Sequence, residues 1–291
     1  MASRLTTRFP AVSSDSCRNS RGQSFSRYVV RRACGKRSTA KRRDENERDW
    51  RQESFDHRSG PVTTRKTNNR KVLVIDVGGT SVKVLATGHD EPRRFLSGPG
   101  MKPKQMVSGV MQLVKDWKYD VVSIGYPGLV FRGKPALEPH NLGRKWVGFD
   151  FESEFGRPVK IINDAAMQAL GSYKSGLLLF LGLGTGLGSA LVQEGVVVPM
   201  ELGHLSYKNG TYEDYVGLRG LKRFGTKKWQ RHVEYGVARL IDAIHPDDVV
   251  LGGGNARKLK KLPPRCRAGN NAYAFLGGFR LWDDRRDRSS S

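Results

Sequence analysis

Short apolar runs recur along this chain from residue 71 onward, and most of them end in glycine. KVLVIDV at 71–77 reads as a buried strand, and 81–86 as the strand that returns beside it after Gly78–Gly79. VVSIGYPG at 121–128 predicts a further strand closed by a Pro–Gly turn, and KIIN at 160–163 a shorter one. LLLFLGLG at 177–184 and SALVQEGVVV at 189–198 supply adjacent strands, and DDVVLGGGNA at 247–256 another that ends in glycines.

Between these runs the period changes. Met106, Val110, Leu113, Val114 and Trp117 recur every three or four residues, predicting a helix over 105–117. AAMQALGSY predicts a helix starting beside Asp164. Trp229, Val233, Val237, Leu240, Ile241 and Ile244 form the apolar stripe of a helix over 229–244. Hairpins followed by strands that alternate with helices indicate a mixed α/β core.

Residues 1–69 follow neither period. Basic side chains far outnumber acidic ones there, so this stretch is expected to lack a folded core. Its first 43 residues are Arg- and Ser-rich and nearly acid-free, superficially like an organelle transit peptide. A dispensable extension or an over-long start is the simpler expectation, with a cytoplasmic enzyme behind it. The whole chain of 291 residues carries a formal charge of +23, which implies an anionic partner without choosing its class. Cys17, Cys34 and Cys266 are scattered, which argues against a disulfide scaffold or a cysteine-rich zinc site. No run approaches the roughly 20 apolar residues of a membrane span.

The chemistry concentrates where strands end. In DVGGT, Gly78 and Gly79 permit close approach by an anion, Thr80 adds a hydroxyl, and Asp76 is placed to hold Mg²⁺ directly or through water. A tight hairpin capped by Asp76 would leave the same signature. Gly182, Gly184, Gly186 and Gly188 alternate around Thr185, and glycine weakens a strand unless something must come close to its backbone. Neither loop fits G-x-x-x-x-G-K-[ST] or the dinucleotide fingerprint. Asp164 follows Asn163 at a strand end, as either a helix N-cap or a base that takes a proton from an attacking alcohol. Glu201 and His204 share a face if their segment is helical, and could clasp vicinal hydroxyls. Glu213 could close the same pocket, or cap the next helix with Asp214. Arg219, Arg223, Lys227 and Arg231 recur every four residues, a solvated face or a track for a long anion if Gly225 permits a continuous helix.

The ordered set DVGGT, GYPG, NDA, GLGTGLG, ELGH and LGGG resembles the ROK family of sugar kinases. TYEDYVG followed by LKRFGTKKW is most similar to its polyphosphate-glucokinase branch. The resemblance implies an actin-like (ribonuclease H-like) fold of two domains with a cleft between them: lobes at 70–164 and 165–271, and a segment 272–291 packing back on the first. It implies a homodimer that phosphorylates the C6 hydroxyl of glucose or a related hexose, using Mg²⁺ and either ATP or polyphosphate. Asp76, Gly78, Gly79 and Thr80 would be the first phosphate turn, and Gly184, Thr185, Gly186 and Gly188 the second. Asp164 would be the base, with Asn163, Glu201, His204 and Glu213 on sugar hydroxyls and Gly252, Gly253 and Gly254 on the nucleotide side. The resemblance makes LLLFLGLG a loop support in the donor site rather than ordinary sheet. Relatives carry a cysteine-rich zinc knuckle where this chain has SYKNGTYEDY, so structural zinc is not expected. NDAAMQAL also departs from the NDADAAG form of polyphosphate glucokinases. One alternative is a nucleic-acid-binding or regulatory protein on a degenerate kinase fold, although no recognisable nucleic-acid motif accompanies it; the other is an ATP-only hexokinase acting on another sugar.

Overall fold

The computed structural model describes residues 70–283 and the backbone of one short antiparallel pair, Ser16–Arg18 with Ser24–Ser26. The expectations for 1–69 and for the end of the C-terminal segment otherwise lie outside the described residues.

Two five-stranded sheets share one plan. The first contains β1 (Val72–Val77), β2 (Ser81–Ala86), β3 (Arg93–Leu96), β4 (Val121–Tyr126) and β5 (Val159–Asn163), in the order β3-β2-β1-β4-β5. The second contains β6 (Leu177–Leu183), β7 (Leu187–Gln193), β8 (Val196–Met200), β9 (Asp248–Gly252) and β10 (Cys266–Ala268), in the order β8-β7-β6-β9-β10. In each, three strands form an antiparallel meander, and two more add in parallel beside the first. β1 and β6 are therefore central and covered on both faces, which is why their sequences are continuous apolar runs. LLLFLGLG is thus the central strand of a sheet as well as the support of the loop that follows it. β2 alternates half-buried and buried residues, as a strand covered on one face should.

Helix α1 spans Pro103–Leu113, shorter than its apolar stripe. Arg93 Nη1 donates to the Leu113 carbonyl at 2.8 Å and pairs with Asp116, so the last helical carbonyl is satisfied from outside. Trp117 is still buried, reached by a turn in which its N–H donates to Val114 O at 2.8 Å. α2 (Phe151–Phe155) ends at Gly156 in the left-handed region.

The helix α3 (Asp164–Ser172) lies between the sheets. Ala165, Ala166 and Ala169 pack with Phe180, Ala190 and Val192 of the second sheet, while Met167 packs with Val72, Val74 and Val121 of the first. α6 (Tyr273–Arg280) crosses both α3 and β1. Gly171 and Gly277 make this possible, because a Cβ at either would overlap backbone of the other helix. Ser123 Oγ donates to Gly278 O at 2.7 Å and fixes α6 to β4.

α4 (Tyr212–Val216) leads into α5 (Leu218–Ile244). The predicted stripe of α5 is buried from Trp229 to Ile241, with Ile244 half-buried. Gly225, at φ 68° and ψ 165°, interrupts this helix, so the four-residue spacing of Arg219, Arg223, Lys227 and Arg231 does not run along one helical face. The single ridge expected from the sequence is corrected to two short basic segments on either side of a kink. No helix among the described residues is long and apolar enough to cross a membrane.

Candidate active site

The turns that end β1 and β6 and the junction between β5 and α3 open onto one cavity of about 760 Å³. Asp164 lies on its wall as the first residue of α3. The N-cap is Asn163, whose Oδ1 accepts from Ala165 N at 2.9 Å and Ala166 N at 3.2 Å. That leaves the Asp164 carboxylate facing the cavity, with Oδ1 accepting from Ala165 N at 2.8 Å. Burial, and then the nearby Asp76 charge, push its pKa up to about 7. The helix-cap reading of Asp164 therefore belongs to its neighbour. Asn163 Nδ2 also donates to Gly128 O at 3.1 Å, leaving one amide hydrogen for a ligand.

Asp76 stands opposite Lys83 in the β1–β2 register, with a 3.7 Å ion pair between them. Burial raises the Asp76 pKa, and Lys83 partly offsets that rise. Gly78 and Gly79 line the cavity, and a side chain at Gly79 would crowd the Cβ of Asn141 at 3.0 Å. Thr80 is exposed and lies outside the cavity wall.

The four glycines of the second loop have separate reasons. Gly182 and Gly188 pair across β6 and β7, and a Cβ at Gly188 would meet that of Ala165 at 2.8 Å. A side chain at Gly186 would collide with the Glu213 carboxylate. Gly184 has open space where its side chain would be. Its carbonyl accepts from Leu218 N at 3.0 Å and from Asn255 Nδ2 at 2.8 Å, which pins the turn from both sides. Thr185 O also accepts from Leu218 N, at 3.1 Å.

Glu201 and His204 bracket a single 3₁₀ turn, Leu202–His204, with Glu201 Oε2 and His204 Nδ1 3.8 Å apart at the cavity mouth. Glu213 reaches the wall from α4, while Asp214 closes a capping box with Thr211. SYKNGTYEDY has no metal ligands of the knuckle kind. Instead Tyr207 stacks on Tyr212 with ring centroids 5.0 Å apart, and its hydroxyl meets His232 Nδ1 at 3.0 Å. This cluster anchors α4 to α5.

Of the nucleotide-side glycines, Gly253 alone lines the cavity. Gly252 is buried under the Phe180 ring and Gly254 is exposed. Of the basic residues, Arg219 lines the cavity while paired with Asp214. Arg223, Lys227 and Arg231 are exposed outside it.

Several wall residues lay outside the sequence reading. Glu138, His140 and Asn141 come from the irregular stretch after β4, where no period marks them. Both Glu138 oxygens accept backbone N–H groups, of Lys145 and Trp146, at 3.1 Å each. Gln168 sits one turn after Asp164 on α3, on the same wall.

No group of three or more His, Cys, Asp and Glu side chains suited to a metal ion occurs among the described residues. Asp76 could still share a hard cation whose other ligands are donor oxygens and water, the usual habit of Mg²⁺. Two carboxylates whose proton affinity burial raises, Asp164 further lifted by the Asp76 charge, suit a nearby divalent charge.

The ROK family pattern matches residues 72–211. A polyphosphate glucokinase of Mycobacterium tuberculosis (strain CDC 1551 / Oshkosh) is 27% identical over 231 residues, spanning 71% of this chain and 87% of that one. The inorganic polyphosphate/ATP-glucomannokinase of Arthrobacter sp. strain KM superposes with a TM-score of 0.63 at 23% identity, covering 72% of this chain and 97% of its own. A ROK family glucokinase from Streptomyces griseus, solved with glucose and AMPPNP, has a TM-score of 0.61 at 16% identity over 72% of this chain and 98% of its own. The fold is the actin-like sugar-kinase fold of these structures. The solved structures share the fold, and the family pattern and the curated relatives make the chain similar to ROK-family sugar kinases.

Proposed function

We propose that this protein transfers a phosphoryl group from polyphosphate, ATP or both to the C6 hydroxyl of glucose, with Asp164 as general base. The observation that carries this reading is Asp164 itself: a carboxylate facing the cavity between two glycine turns, with its proton affinity tuned to about 7. The sugar hydroxyl gives its proton to the Asp164 carboxylate as its oxygen bonds to the terminal phosphorus. The bond from that phosphorus to the bridging oxygen breaks, and the shortened donor leaves with the electron pair. Most of the acceleration in such transfers comes from positioning and charge neutralisation.

Backbone N–H groups around Gly78, Gly79, Gly184 and Thr185 are suited to the donor phosphates. Asn163, Glu201, His204 and Glu213 are suited to the sugar hydroxyls. Mg²⁺ beside Asp76 would neutralise donor charge when bound. Assembly as a homodimer, lobes divided at Asp164, and a cytoplasmic setting belong to the same reading. The polyphosphate branch is favoured by the curated relatives and by the excess of basic residues beyond the cavity.

The deciding experiment supplies purified protein with glucose and Mg²⁺, adds ATP or polyphosphate, and measures glucose 6-phosphate. Turnover with either donor, abolished in Asp164→Asn with glucose binding retained, is the expected result. No product from either donor, or near-normal turnover in the variant, would overturn the assignment.

A further inference from the structure

Two cationic arms are tied to the second glycine loop at one atom. The Gly184 carbonyl accepts from Leu218 N, where α5 begins, and from Asn255 Nδ2, where the segment after β9 begins. The first arm carries Lys222, Arg223, Lys227, Lys228 and Arg231, all exposed. The second, immediately after Asn255, carries Arg257, Lys258, Lys260 and Lys261, also exposed. The arms meet again away from the loop, where Lys260 N donates to Gln230 Oε1 at 3.1 Å. Ala256 and Leu259 between those two ties, and Leu262 just beyond the second, pack into the apolar cluster that contains Trp229 and Val233, so the second arm is fixed against the first.

None of these nine cations has a carboxylate within 4.0 Å among the described residues, whereas Arg219 and Arg267 beside them are paired with Asp214 and Asp248. Neither run 217–233 nor run 253–268 contains an acidic residue; the carboxylate nearest their tie is Glu234, which accepts from Gln230 Nε2 at 2.9 Å. Like charges held together without counter-charges repel one another, and an extended anion laid between them removes that repulsion. A nucleotide, whose charge is confined to its own few phosphates, has no use for cations spread this far along two segments.

We infer that the two arms form one two-walled docking surface for the tail of a linear polyphosphate chain whose end lies in the Gly184 loop. This deepens the polyphosphate-donor reading and rests on it. The second wall, Arg257 to Lys261, is the part that the periodic spacing of basic residues does not reveal. It makes the protein a chain-length sensor. A long polymer touches both arms, and a three-phosphate chain reaches only the loop.

The test uses the full chain, with Lys260→Glu/Lys261→Glu as the variant and circular dichroism to verify its fold. Binding of a long polyphosphate (about 60 phosphates) and of tripolyphosphate is measured by titration across salt concentrations, alongside KM for each and for ATP. For the long chain, affinity should fall by about tenfold or more, and the slope of log affinity against log salt should shrink by about one per lost contact. Tripolyphosphate and ATP should change far less. An equal loss for short and long chains, or none for the long chain, would overturn the two-walled surface. So would a single-stranded RNA that binds more tightly than polyphosphate with the same dependence on the two lysines. If polyphosphate is never turned over, yet long chains bind through these lysines, the surface stands and the donor reading falls.

Discussion

Asp164 ties the chemistry to pH in two opposite ways. Its folded pKa of about 7 lies above its ordinary 3.8, so the folded chain holds the proton more tightly than the unfolded one. That contribution to stability is full below about pH 4 and is lost as pH rises through about 7. Catalysis needs the proton gone, so kcat/KM should climb through the same window. Asp164→Asn should lose roughly 10²–10⁴ in kcat, while its unfolding temperature at pH 8 is no lower than that of the parent. A pH profile that is flat between 5 and 8, or a variant much less stable at pH 8, would contradict this role. Asp164 was legible in the sequence because an apolar strand delivers it to a helix start. The identity of the cap was not, because Asn163 and Asp164 have equal capping chemistry and only backbone geometry separates them. Glu138, His140 and Asn141 were illegible for a different reason: they lie in an aperiodic stretch, and folding alone brings them to the wall.

At the scale of elements, the β6–β7 turn shows how one motif divides its work. The alternating glycines read as a single phosphate loop, but the structure gives each a different neighbour: Ala165 for Gly188, Glu213 for Gly186, open space for Gly184. The two turn glycines should therefore fail differently. Gly186→Ala displaces the Glu213 carboxylate, so glucose KM should rise by about five- to a hundredfold, the cost of one disturbed buried polar contact at 1–3 kcal/mol. Gly184→Ala puts a methyl where a donor phosphate would approach, so donor KM should rise instead. Steady-state kinetics with each substrate varied separately would show this split, and a common effect on both constants would refute it. Element types followed from period alone, since β1, β6 and the buried half of α5 are strongly patterned. Element ends did not. The α1 stripe continues to Trp117 although Arg93 satisfies the carbonyl of Leu113. Gly225 breaks what the charge spacing alone would draw as a continuous face.

Over the whole molecule, two sheets of the same strand order clasp α3 between them, and the Gly184 loop of the second sheet is tied to both basic arms. The repetition of the two sheets is invisible to periodicity, because sequence patterns give strand faces but not the order of strands in a sheet. The long-range charge is plainly visible, since a net +23 survives any folding. How that charge acts depends on distance. Screening shortens the reach of an exposed charge from about 10 Å at 0.1 M salt to about 3 Å at 1 M. Contacts within the cavity are less screened than the exposed cations along α5. Phosphoryl transfer from a long polymer should therefore lose kcat/KM with salt more steeply than transfer from ATP, and Arg223→Glu/Lys227→Glu should raise the polymer KM more than the ATP KM. Measuring both donors across one salt series, in parent and variant, separates a distributed polymer surface from a purely local donor pocket. Parallel salt curves for the two donors, unchanged by the charge reversal, would place all of the donor recognition inside the cavity.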